Sequence, residues 1–177
     1  DFKVGLGSNL TLDGTINPDF GQVEADPAEV NLTAFETFFP EQRPFFIEGN
    51  QLLQGTGPGY YYSRRIGATP QGYATGEVAD SADFLESPRY ATILGAAKLT
   101  GRTSSGMSIG ALAAVTQREY ADLYDATTNS FEKVAVEPST AYLVGRVQQE
   151  FGASASTIGA TLTGLTRSFS DAEPLKQ

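Results

Sequence analysis

Strict alternation of apolar and polar residues most narrows what this chain can become. In residues 2–16, Phe2, Val4, Leu6, Leu10, Leu12 and Ile16 share one parity, and Lys3, Asn9, Thr11, Asp13 and Thr15 take the other. A period of two specifies a strand with one apolar and one polar face. The run predicts one strand longer than the five or six residues usual in soluble proteins. The pattern returns after Tyr90. Ile93, Gly95, Ala97 and Leu99 oppose Thr92, Lys98, Thr100 and Arg102. After a tight turn at Ser104–Gly106, Met107, Ile109, Ala111, Ala113 and Val115 form the next apolar row, ended by Gln117 and Glu119. Ala141, Leu143, Gly145, Val147 and Phe151 oppose Tyr142, Arg146, Gln148 and Glu150. Beyond Gly152-Ala153, Ile158, Ala160, Leu162 and Gly164 oppose Thr157, Thr161, Thr163 and Arg167. A polar stretch from about Ala121 to Pro138 reads as a long loop.

The connections after Tyr90 therefore run short, long, short, between strands of about 11–16 residues, long enough to cross a bilayer when tilted. Outer-membrane barrels have short turns at one end and long loops at the other. The pattern favours such a barrel over a soluble β sandwich with one wet face. No apolar run reaches the roughly 18 residues of a membrane helix, which leaves strands open. No secretory signal pattern opens the sequence. The first residues read as mid-strand, so a fragment of a longer chain is expected.

Composition removes several chemistries. The 177 residues include no Cys and no His, so disulfides, thiolate or imidazole metal sites and Ser-His-Asp catalysis are absent. The formal net charge of −9 repels phosphate backbones and speaks against nucleic acid as a partner. The size suits one domain. It is assigned as a single partial barrel over 1–177, with an insertion at 17–90.

That insertion opens with NPDFGQVEADPAEVNLTAFETFFPEQRPFFIEG at 17–49, where acids sit among six Phe and four Pro. Asp26-Pro27-Ala28-Glu29 is a helix start and Pro40 a stop, predicting a short helix to about Phe39. Arg43–Gly49 reads as a strand and turn, with Tyr60–Ile66 as a possible pairing strand and 67–90 as loop. Asp19, Glu24, Asp26, Glu36 and Glu48, with Arg43, Arg64 and Arg65, are the candidate ligand-binding or insertion-stabilising residues. The arginines match acids that burial would otherwise penalise.

Catalytic readings are weaker. A carboxylate pair among Glu24, Asp26, Glu36, Glu41 and Glu48 would suit glycoside hydrolysis, but the sequence gives no separation. Asp19, Glu24, Asp26 and Glu29 lack the spacing of a Ca²⁺ loop. Ser130-Phe131-Glu132-Lys133 matches S-x-x-K without a companion motif. No catalytic residue, metal or cofactor is assigned.

The 17–49 segment, YYSRRIG at 61–67 and ILGAAKLTGRT at 93–103 resemble a family of uncharacterised bacterial proteins common in Bacteroidetes and related phyla. In these, a family-9-type carbohydrate-binding module precedes a long domain expected to form an outer-membrane β-barrel. The resemblance covers about 1–120. It implies an all-β, antiparallel up-and-down sheet, part of an outer-membrane barrel, with a plug-like insertion carrying a short helix. The resemblance supplies no reaction and carries no sugar binding over to this chain. The expected partners are membrane lipid, the rest of the barrel chain and carbohydrate, and the expected role is a non-enzymatic pore or surface component linked to carbohydrate or nutrient handling. The alternative is a soluble β-rich hydrolase module using a carboxylate pair.

Overall fold

The computed structural model describes residues 1–18, 37–54, 59–72, 74, 82–152 and 155–169. Among these, the chain is mostly antiparallel β structure with a few short helical turns. A six-stranded sheet has the order β1-β2-β4-β5-β8-β9. Its strands are β1 (Phe2–Leu6), β2 (Leu10–Ile16), β4 (Ile93–Arg102), β5 (Met107–Thr116), β8 (Ser139–Phe151) and β9 (Ser156–Ser168). A three-stranded sheet, order β3-β6-β7, is built from β3 (Phe84–Glu86), β6 (Glu119–Asp125) and β7 (Ser130–Glu137). The larger sheet is open, with β1 and β9 as its edges. No closed barrel forms within the described residues.

The alternation at residues 2–16 makes a hairpin rather than one long strand. Gly7 adopts φ +70°, which reverses the chain at almost no steric cost for glycine. Phe2 then lies opposite Gly14, and Val4 opposite Leu12. Leu6 and Leu10 flank the turn at the same parity, so the apolar face survives the reversal. A Cβ on Gly14 would collide with the Phe2 ring, which covers the strand there.

In β4 the register shifts between Ile93 and Gly95. That bulge moves Ile93 off the apolar row and into the core on the opposite face, where it is 4% exposed. From Gly95 onward the expected parity holds.

Four local expectations in the insertion and loops are corrected, and a fifth lies largely outside the described residues. Arg43–Gly49 is not a strand. Pro44 begins α1 (Pro44–Ile47), and the Phe46 and Ile47 amides donate to the Arg43 carbonyl. Proline's fixed φ and missing N–H suit the first helical turn. A second turn, α2 (Gln51–Gln54), follows Gly49. Tyr60–Ile66 is likewise not a pairing strand but contains a 3-10 turn at Ser63–Arg65. The helix predicted from Asp26 lies largely outside the described residues, and the part within them, Thr37–Phe39, is not helical. Finally, β6 and β7 form a hairpin where a long loop was expected, and β3 lies within the predicted 67–90 loop. Ala121, Leu123 and Val136 bury one side of this small sheet, and Asn129 at φ 52° serves the turn. Its other side aligns Phe84, Tyr124 and Phe131 across all three strands, with Phe131 82% exposed.

The turns at 7–9 and 103–106 and the β8–β9 connection after Gly152 lie at one end of the large sheet. The excursions 17–92 and 117–138 leave from the other end.

Candidate functional site

The registers sort the large sheet's side chains into two unlike faces. Every charged residue of its six strands, namely Lys3, Asp13, Lys98, Arg102, Arg146, Glu150 and Arg167, falls on one face. The other face carries rows such as Val4–Leu12–Leu99–Ala111–Gly145–Leu162, with no charge. Its large side chains stay open to the surroundings: Leu143 is 48% exposed, Ile158 67% and Leu162 66%.

The described part of the insertion packs on the charged face. Phe46 and Leu53, from α1 and α2, are buried with Ile66 against Ile93, Ala96, Leu112, Ala114 and Val144. Gly110 makes this approach possible. A Cβ there would sit 2.5 Å from the Leu52 carbonyl oxygen, inside contact distance. The absent side chain lets α2 lie directly on β5.

Two polar contacts fix the insertion. The first is Lys98. Its side chain is 1% exposed and its Nζ donates to the Phe45 carbonyl at 2.6 Å and to the Glu48 carbonyl. These carbonyls lie at the end of α1, where orphan acceptors favour a cation. The Nζ also stands 4.8 Å from the Phe45 ring centroid and 4.0 Å from Asp13 Oδ2. Lys3, beside Asp13, pairs with Glu48, and its hydrogen bond holds the Glu48 carboxyl below the usual carboxylate range.

The second contact is Arg43. Its Nε and one terminal nitrogen donate to both Glu41 oxygens at 2.8 and 2.7 Å. The guanidinium also donates to the carbonyls of Ile66 at 2.7 Å and Ser63 at 2.9 Å, and lies over the Phe46 ring. One side chain thus ties 41–46 to 63–66. Burial pushes the Glu41 carboxyl up, but its hydrogen bonds and the Arg43 charge outweigh this and hold it below the ordinary range. Burial raises the Tyr61 hydroxyl in the same region.

Among the candidate residues, Asp19, Glu24, Asp26 and Glu36 lie outside the described residues. Arg43 is the hub just described. Arg64 donates to the Pro40 carbonyl at 2.8 Å, and the Arg65 carbonyl accepts from the Tyr142 hydroxyl at 3.3 Å on β8. Glu48 pairs with a strand lysine rather than with an insertion arginine. Glu41 and Glu48 therefore belong to separate ion pairs. Among the described residues no group of three or more acids is placed to hold a metal ion. Lys98 and its Asp13 neighbour were not singled out by sequence reasoning. The available signal was a lysine set between the small and apolar residues Ile93–Ala97 and Leu99 in the strand ILGAAKLTGR.

Comparison with known families finds one match, a domain of unknown function designated DUF5916, over residues 1–173. No curated protein and no solved structure matches the chain. No helix among the described residues is long and apolar enough to cross a membrane, which says nothing about strands.

Proposed function

The chain belongs to the DUF5916 family, and we propose that it forms part of the wall of a bacterial outer-membrane β-barrel, with its insertion seated on the lumenal face. One observation carries this reading: all the charge in the six strands of the large sheet lies on one face and none on the other. A soluble sandwich turns its apolar face inward against a second sheet. Here the described insertion and the core gather on the charged face instead, which leaves the apolar face outward. That is the arrangement lipid demands. Short turns at one end, long excursions at the other and open edges at β1 and β9 support it. Unpaired edges call for further strands, and those of the same barrel would supply them. The role is non-enzymatic: a pore or surface component in uptake or handling of carbohydrate or another nutrient, with membrane lipid as its surroundings. The hydrolase alternative gains no support from Glu41 and Glu48, each engaged by a cation.

The test is folding of the complete polypeptide into lipid vesicles, followed by heat-modifiable gel migration. Leu162→Arg, on the apolar face, should cost about 2–4 kcal/mol near the bilayer midplane. Thr163→Arg, one residue on but on the charged face, should fold normally. Equal behaviour of the two variants, or stable folding in water without lipid, would overturn the reading.

A further inference from the structure

Beside the docked insertion, a polar groove of about 420 Å³ remains open on the charged face. Its floor is Arg146 and Gln148 of β8 with Thr157 and Thr161 of β9, and its wall is Gln54 and Tyr60. The registers explain the juxtaposition. Gly110, Arg146 and Thr161 form one row across β5, β8 and β9. Because α2 lies over Gly110, its residues stop short of Arg146, and no described residue covers the row beyond it. The next row holds Gln148 and then Gly159, where no side chain rises into the groove.

The groove has an unbalanced charge. Arg146 donates to Gln148 Oε1 at 2.6 Å, and among the described residues no carboxylate pairs with it. The guanidinium carries five N–H donors, so most of its capacity is unused. The nearest acid along the same face of its strand, Glu150, is engaged by Arg102. Around Arg146 stand two amides, two threonine hydroxyls and a tyrosine, all able to donate. A half-buried cation in a donor-rich groove without an anion fits a planar oxyanion, which guanidinium binds through two parallel hydrogen bonds. The Tyr60 ring, 66% exposed at the groove wall, adds an apolar surface for the remainder of the ligand.

We propose that this groove binds a small hydroxyl-bearing solute through its carboxylate, with Arg146 as the anion-binding residue and Gln54, Thr157 and Thr161 contacting its hydroxyls. The assignment rests on the charged face alone and does not depend on where the apolar face resides. Isothermal titration of the folded chain with glucuronate, glucose and sulfate tests it. Glucuronate should bind saturably and glucose should not. Sulfate should compete with glucuronate for the same site. Arg146→Gln should weaken glucuronate at least tenfold, Arg146→Lys less, and Glu150→Gln not at all. Should Arg146→Gln fail to fold, Thr161→Val decides, with a loss of threefold or more expected. Absence of saturable glucuronate binding, equal binding of glucose, or affinity unchanged in Arg146→Gln or Thr161→Val would overturn the proposal. Lipid insertion is read separately by the Leu162→Arg experiment, so the two readings fail independently.

Discussion

Lys98 of β4 donates its ammonium to the carbonyl of Phe45 in α1 at 2.6 Å, a contact spanning 53 residues of sequence. The lysine is buried under the segment it anchors, and its charge is shared with the Glu48 carbonyl and the nearby Asp13. It joins two parts of the chain that otherwise meet mainly through apolar packing. Lys98→Met retains the length of the side chain and removes the donor. It should leave two carbonyls without their donor and Asp13 with Lys3 alone, and destabilise docking by about 1–3 kcal/mol. Hydrogen exchange at the amides of Phe46, Ile47, Leu53 and Gln54 should accelerate, while exchange within β8 stays unchanged.

Arg43→Ala should be far more disruptive than Arg118→Ala. Arg43 satisfies Glu41 and two carbonyls, and its loss strands a carboxylate whose side chain is 8% exposed. Breaking such a buried pair costs about 3–5 kcal/mol. Arg118 is half-buried and donates to the Ser168 carbonyl at 2.8 Å, but it joins no buried carboxylate of the insertion, so its loss should cost about 1 kcal/mol, the scale of a single hydrogen bond. Denaturant unfolding of both variants, with exchange at 44–54 set against the 126–129 turn, measures the difference. Comparable losses would remove Arg43 from its place as the insertion's hub.

Gly110→Ala tests the direct seating of α2 on β5. The added Cβ would meet the Leu52 carbonyl at 2.5 Å, and backbone cannot yield as a flexible side chain can. The expected cost is about 1–3 kcal/mol, typical of overpacking. Gly145→Ala is the control, because a Cβ there meets nothing within 4 Å. Thermal unfolding of the two variants should separate them clearly.

Acid should loosen the Arg43 clamp. The folded Glu41 carboxyl titrates below its ordinary value of 4.5, so its contribution is present above that pH. The contribution fades as pH falls from about 4.5 through the lower folded value. Near-ultraviolet circular dichroism reports the Tyr61 and Tyr62 environment and should change over that window. Glu41→Gln should flatten the response. A transition centred above pH 5 would place its origin elsewhere.

The sequence by itself determined the two faces of the large sheet. Parity along Ala141–Val147 and Ile158–Gly164 is a local property, and a strand has no way to present it except as opposite faces. The apolar row of Leu143, Val147, Ile158 and Leu162 was therefore readable in advance, as were the tight turns near Ser104 and Gly152. Arg43 was also legible as a partner for the insertion's acids.

What tertiary structure decided is everything that depends on register and covering. Ile93 changed faces because a bulge added one residue, which no local periodicity announces. Pro44–Ile47 became a helical turn because its rings could be buried on the sheet while its carbonyls met Lys98, a gain visible only once β4 lies beneath it. Residues 119–137 paired as a hairpin because the narrow row of Ala121, Leu123 and Val136 found Ala74 and Ala82 to cover it. Their sparse apolar content reads as loop when taken alone. Lys98 and Arg146 sit at the same parity on the same face, and the sequence assigns them alike. Only the docked positions of α1 and α2 separate them: α1 buries Lys98 as an anchor, and α2 stops beside Arg146 and leaves it half-buried, because burial is set by what comes to lie above a residue.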